Sequence, residues 1–344
     1  MALFGRRSAE PTPLDGVDVV LADLDGVVYA GAGALPHAIE SLNRSRAGRR
    51  LGYITNNASR TDASVAGHLS ELGLETAPAD VVTSPQAAMR LLVERIAPGA
   101  TVLVVGGDGL VSELEKSGFV VTRSADDSPA AVVQGFAPEV GWAQLAEAAY
   151  ALALPEEEGG IPWIATNTDW TIPQARGIAP GNGTLVSAVH TAVGRLATVA
   201  GKPEVPIFDE AVARFGAQHP LFLGDRLDTD ILGANRAGIA SALVLTGIDG
   251  PKQVLAADAD SRPTFLLGDL RELFEPYAPP QSAVKRGVTR VTSGRAVVTV
   301  DGNSVRLEKA GSPIDVLRAG AHAIWSTGSP IYALDVAPEL YSQP

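Results

Sequence analysis

The sequence has 344 residues, 46% hydrophobic and 19% charged, with a formal net charge of −12 and no cysteine. That length suits about two domains with an appendage, and such an acidic balance repels phosphodiester backbones, so nucleic acid is not expected as a partner. The lack of cysteine removes disulfides, thiolate nucleophiles and zinc–sulfur sites together.

Residues 1–13 carry Arg6 and Arg7 but no apolar run of signal-peptide length. No stretch reaches the ~18 apolar residues of a membrane span. The chain is therefore expected to be cytoplasmic, with no membrane partner. The first apolar run, 17–22, predicts a buried strand and leads into Asp23-Leu24-Asp25-Gly26-Val27. A second, 51–55, ends in Thr55-Asn56-Asn57. Ser84 as cap and Pro85 at the first helical position predict a helix over 84–96. Strands are predicted at 102–105, 131–133 and 163–165, and helices over 142–154 and 184–196. The loop Gly201-Lys202-Pro203 precedes a helix at 208–215 and a strand at 221–223. That strand runs into Gly224-Asp225-Arg226-Leu227-Asp228-Thr229-Asp230-Ile231, and strands at 242–245 and 265–267 follow. Strands too apolar to have a wet face, alternating with helices, argue for parallel sheets covered on both sides.

After Glu275 the texture changes, with Pro276, Pro279 and Pro280 forming a linker. Beyond it, 288–291, 295–300 and 305–308 predict short strands, Asp301-Gly302-Asn303 a hairpin turn, and 312–324 a helix. This tail reads as a small unit of its own.

In a parallel α/β sheet, reactive groups collect beyond the carboxyl ends of the strands. Asp23 and Asp25, one residue apart and followed by glycine, can both face one ligand. One can serve as nucleophile and the other as general acid/base; a solvated Asp pair in a turn is the plain alternative. Thr55, Asn56 and Asn57 offer a hydroxyl and two amides suited to phosphoryl oxygens, although Thr and Asn also favour turns for local reasons. Lys202 can neutralise carboxylates and a phosphate at close range, or be an exposed lysine in a turn. Asp225 and Asp230 can join the first pair around a cation, and Mg²⁺ needs only one or two protein carboxylates among its hard oxygen ligands. Asp228 is read as a solvated turn residue. The five histidines form no metal-spaced pair.

The order D-x-D-G-V, T-N-N, G-K-P, G-D-x-x-x-T-D-I resembles the haloacid dehalogenase superfamily. Within it, the pattern is similar to the branch of p-nitrophenylphosphatases, nucleotide phosphatases and pyridoxal phosphatases. The resemblance implies that Asp23 attacks phosphorus and binds Mg²⁺ through its other oxygen. It implies that Asp25 protonates the leaving group, activates the hydrolytic water, and gives its backbone carbonyl to the metal. Thr55, Asn56, Asn57 and Lys202 are then the groups that hold the phosphate. Asp225 is the remaining metal ligand, with Asp230 supporting it from behind. The reaction implied is Mg²⁺-dependent hydrolysis of small phosphorylated metabolites through an aspartyl-phosphate.

The fold implied is α/β: a Rossmann-like doubly wound parallel sheet core over 14–83 and 185–275, with an inserted α/β cap over 84–184. A small C-terminal α+β appendage of unassigned role occupies 281–344. The segment 165–170, with Pro180-Gly181-Asn182-Gly183, resembles the closing part of such a cap, and 167–170 is the part expected to reach inward. A cap excludes water and chooses the substrate. The whole chain, tail included, resembles the glycerol 3-phosphate phosphatase branch, which implies that substrate; nucleotides or pyridoxal phosphate are the alternatives. The tail lacks a Gly-rich pyrophosphate loop, so no acetyl-CoA chemistry is assigned to it.

Two other classes compete. A phospho-aspartate receiver module also places Asp and Lys at strand ends, but Asp25 and the large insertion favour turnover. A dinucleotide-binding oxidoreductase is suggested by 104–109, which lacks the G-x-G-x-x-G pattern. Whether the chain forms a homo-oligomer is not set by the sequence.

Overall fold

The computed structural model of the chain describes residues 11–174 and 176–342. The N-terminal residues 1–10, read above for a leader, lie outside the described residues. No helix among the described residues is long and apolar enough to cross a membrane. The chain divides into two compact units, one running to Leu51 and resuming at Gln218, the other comprising residues 52–217.

The first unit is built on parallel strands in the order Phe265–Leu267, Ala240–Val244, Pro220–Gly224, Val19–Ala22. Val19, Val20, Leu21 and Ala22 are all buried, which is why this strand reads as an uninterrupted apolar run. It pairs with Pro220–Gly224 in the register Val19↔Pro220 to Ala22↔Leu223. The two aspartate motifs therefore leave the sheet side by side. The bond from Asp23 N–H to the Leu223 carbonyl, 2.8 Å, extends this pairing one residue past the strand.

Residues 281–342 add an antiparallel sheet of Gln281–Lys285, Val288–Ser293, Ala296–Asp301 and Ser304–Lys309, with Asp335–Val336 parallel to the last. The helix Pro313–Ser326 crosses one face, capped by the Ser312 hydroxyl, which accepts from Asp315 N–H. This tail shares one apolar cluster with the parallel-sheet part. Val291, Val298, Leu317 and Ile324 belong to the same group as Ile231, Leu243 and Val254. Arg318 fastens the joint. Its guanidinium donates to the Leu266 carbonyl at 2.6 and 2.9 Å and to Glu272 at 2.5 Å, and lies 4.4 Å from the Tyr277 ring centroid. Burial pushes the Glu272 carboxyl above its usual range, against the opposing pull of Arg318. The apolar face of Pro313–Ser326 is thus covered by the rest of its unit, so the tail has less of a separate core than its proline-rich boundary suggests.

The second unit carries a five-stranded parallel sheet in the order Thr198–Val199, Trp163–Ala165, Ala131–Gln134, Thr101–Val105, Val120–Thr122. Helices Trp142–Ala151 and Asn182–Val193 cover one face through Ala148, Val186 and Val189, which pack on Leu103, Val132 and Trp163. Strand Arg50–Thr55 runs across the unit boundary, and its final residues pair in parallel with Val81–Thr83, Thr55 opposite Thr83. The helix that follows, Ser84–Val93, corrects one expectation. Its cap is Thr83, in a reciprocal capping box with Gln86, and Ser84 is the first helical residue. A hairpin of Thr171–Gln174 and Gly177–Pro180 projects from the same unit.

Candidate active site

The loop after Val19–Ala22 closes on itself through backbone bonds. Val28 N–H donates to the Leu24 carbonyl at 2.8 Å, and Gly26 N–H to the Tyr29 carbonyl at 2.9 Å. Gly26 sits at φ +83°, a region that L side chains seldom enter. Space excludes a side chain there as well, because a Cβ would lie 2.2 Å from an Asp225 carboxylate oxygen. Asp23 is buried at the base of this loop, and Asp25 is exposed at its edge.

Three carboxylates converge here. Asp23, Asp225 and Asp230 are all buried, and each offers an oxygen within 4.8 Å of the others. Like charges this close, away from water, oppose one another's ionisation unless a cation or hydrogen bonds offset them. Asp230 is held in place from within, its Oδ2 accepting the N–H groups of Asp225 at 3.1 Å and Arg226 at 3.2 Å. Asp23 and Asp225 supply hard, anionic oxygens of the kind a divalent cation such as Mg²⁺ takes. The donor set fits that ion. The turn that aims these groups, Leu227–Ile231, is a single π-helical turn, a distortion that recurs at functional sites. Asp228 faces solvent in a bidentate pair with Arg226, at 3.0 and 2.7 Å, an exposed arrangement worth little in stability.

Asp249 was not singled out in the sequence. Its Oδ2 accepts Leu227 N–H at 2.6 Å. Burial pushes its carboxyl above the usual range, and the Leu227 N–H pulls the other way.

The second unit brings together the other predicted groups. Thr55 and Lys202 are buried. The Asn56 side chain lies against the Lys202 backbone, accepting from Lys202 N–H at 2.8 Å and donating to the Lys202 carbonyl at 3.0 Å. The same amide nitrogen lies 3.1 and 3.2 Å from the two Asp169 carboxylate oxygens. The Asn56 carbonyl accepts from Asn167 and from the Ser84 hydroxyl, each at 2.8 Å. Asn182 holds Asn167 in turn, donating to its carbonyl at 2.7 Å. Asn56 is therefore a hub joining the T-N-N turn, the lysine loop and the 167–169 segment. Gly201 has to be glycine for the hub to close, since a Cβ would lie 2.6 Å from the Asn56 Oδ1. Asn57 is exposed and makes a local turn, its Oδ1 accepting from Ser59 and Arg60 N–H at 2.9 and 3.2 Å. Trp170 is exposed, so the aromatic end of the 167–170 segment points to solvent within its unit.

Asn56→Asp tests the hub. The change is nearly isosteric, but it replaces a donor with a charge facing Asp169 and the Lys202 carbonyl. The expected loss is about 3 kcal/mol of unfolding free energy, read from denaturant midpoints. A variant as stable as the parent would show that the hub carries no weight.

Comparison with known proteins identifies the family. A model of the haloacid dehalogenase-like hydrolase family matches residues 20–120, and a second HAD-hydrolase-like model matches 199–273. The D-glycerol 3-phosphate phosphatase of Mycobacterium tuberculosis is 43% identical over 309 residues, 90% of this chain and 86% of that protein. The chain belongs to the haloacid dehalogenase-like hydrolases. Another relative in this hydrolase family, the glycerol-3-phosphate phosphatase of Gallus gallus, is 38% identical over 70% of the chain and 83% of its own length. The crystal structure of the M. tuberculosis glycerol phosphate phosphatase in complex with magnesium superposes with a TM-score of 0.82. It is 40% identical and covers 92% of this chain and 93% of that one. This hydrolase has its parallel sheets, its helices and its additional C-terminal sheet in keeping with that neighbour.

Proposed function

We propose that the chain is a Mg²⁺-dependent phosphatase of small phosphomonoesters, with glycerol 3-phosphate as its substrate. The observation that carries the chemistry is the buried Asp23–Asp225–Asp230 cluster at two adjacent strand ends. The substrate follows from the relatives, of which two are phosphatases of glycerol 3-phosphate. Bound Mg²⁺ would be held by Asp23, Asp225 and the Asp25 carbonyl, and it would supply charge neutralisation for the phosphoryl group.

The residues then divide the work. Asp23 attacks phosphorus and forms the aspartyl-phosphate, releasing the alcohol. Asp25, exposed beside it, gives its proton to the departing oxygen and afterwards takes one from the water that hydrolyses the acyl phosphate. Asp230 fixes the backbone at Asp225. Thr55, Asn57 and Lys202 are assigned to the phosphoryl oxygens by the motif order. Asn56 joins them by setting the Lys202 loop, to which its side chain is committed. Residues 14–83 and 185–275 form the catalytic core in this reading, 84–184 the segment that selects the leaving group, and 281–344 an appendage.

A panel of phosphorylated metabolites, compared by kcat/KM with and without Mg²⁺, tests the assignment. Glycerol 3-phosphate should head the panel, and chelation should remove activity. A clear preference for nucleotides or pyridoxal phosphate would overturn the substrate and leave the reaction standing; no metal-dependent phosphate release from any substrate would overturn both.

A further inference from the structure

We infer that the turn 246–249, outside all four motifs, is the device that positions Asp225, with Gly247 as its critical residue. The inference rests on the functional reading above and deepens it. The turn follows strand Ala240–Val244, which lies directly beside the strand carrying Asp225. Ile248 N–H donates to Asp225 Oδ2 at 2.8 Å, and Asp249 N–H to the Asp225 carbonyl at 3.2 Å. Asp249 also receives Leu227 N–H, so the turn grips the motif on both sides of Arg226.

Gly247 makes this approach possible. A Cβ there would lie 2.0 Å from Asp225 Oδ2 and 2.5 Å from its Cγ. Gly247 is not among the positive-φ glycines, so the constraint is one of space, and the three atoms nearest such a Cβ all belong to Asp225. Gly26 presents a second wall, its own hypothetical Cβ 2.2 Å from the same oxygen. The Asp225 carboxylate thus packs against two glycines that have no room for a side chain, and its Oδ2 is held by the Ile248 N–H. Thr246 ties the walls together, its hydroxyl donating to the Gly26 carbonyl at 2.7 Å. One turn therefore sets both Asp225 and the loop that presents Asp25. Groups behind a metal ligand typically govern its affinity in this way.

The test is Gly247→Ala, with Thr246→Val and Thr246→Ser as a second series. Mg²⁺ is titrated against the thermal midpoint without substrate, and kcat and KM are measured separately at saturating Mg²⁺. For Gly247→Ala the Mg²⁺ midpoint should weaken roughly 10–100-fold, and kcat should fall while KM changes little. Thr246→Val should lower kcat in the same sense, and Thr246→Ser, which keeps the hydroxyl, should restore it. A Gly247→Ala protein with the parent Mg²⁺ midpoint would overturn the inference. So would a Thr246→Ser enzyme as impaired as Thr246→Val, a result that stands even if Gly247→Ala fails to fold. If the parent protein neither gains stability from Mg²⁺ nor releases phosphate, the functional reading falls and takes this inference with it.

Discussion

Asp23→Asn should leave no phosphate release above background. The amide is not a nucleophile, so the aspartyl-phosphate cannot form, and it is a poorer ligand for a hard cation. The fold should persist, because the backbone bond from residue 23 to the Leu223 carbonyl does not involve the side chain. The thermal midpoint in the absence of Mg²⁺ should not fall. One of three buried carboxylates within 4.8 Å of one another is neutralised, which removes repulsion. The decisive pair of measurements is phosphate release and the metal-free melting curve. Near-normal release would rule out covalent catalysis at Asp23, whatever the stability. Acid quenching supplies an independent check, since labelled phosphate should remain on the parent protein and not on the variant.

Most of the parallel strands are legible because an apolar run is closed by a polar cluster at its carboxyl end, whereas Val81–Thr83, Val120–Thr122 and Thr198–Val199, only two or three residues long, are not among the expected strands. That signal pointed to Asp23, Thr55 and Asp225 together. The same rule, applied to the strand that ends at Val244, points to Thr246-Gly247-Ile248-Asp249, a signal present in the sequence but outside the four motifs. The capping box of Thr83 and Gln86 was likewise visible as T-x-x-Q. Other features left no local trace. The contact between Asn56 and Asp169 joins residues 113 positions apart, and neither sequence neighbourhood names the other. Gln281–Lys285 is exposed at every position, so it lacks the alternation by which a half-buried strand is recognised. Asp335–Val336 is too short to carry a period at all. The tail's dependence on the rest of its unit was hidden for another reason. Proline-rich stretches mark where chain direction changes, whereas a shared core depends on which apolar faces meet afterwards.

Asp25→Asn should separate the two half-reactions by leaving group. The loop that carries residue 25 is held by backbone bonds at Gly26 and by Thr246, so the amide should occupy the same place. What is lost is the proton donor and, later, the base, a contribution typically worth ~10²–10⁴ in rate. Glycerol is a poor leaving group and needs the proton as its bond to phosphorus breaks. For glycerol 3-phosphate, formation of the aspartyl-phosphate itself should slow by that factor, with no burst of glycerol. A p-nitrophenolate departs without protonation, so the first step with p-nitrophenyl phosphate should stay fast. Hydrolysis of the intermediate still lacks its base. The variant should then give a burst of nitrophenolate close to one equivalent per site, followed by a slow steady state. Stopped-flow absorbance with the aryl substrate and rapid quench with glycerol 3-phosphate read the two cases. Equal loss of the first step for both substrates would mean that Asp25 organises the site and does not transfer the proton. Parent-like turnover of glycerol 3-phosphate would exclude it from the chemistry altogether.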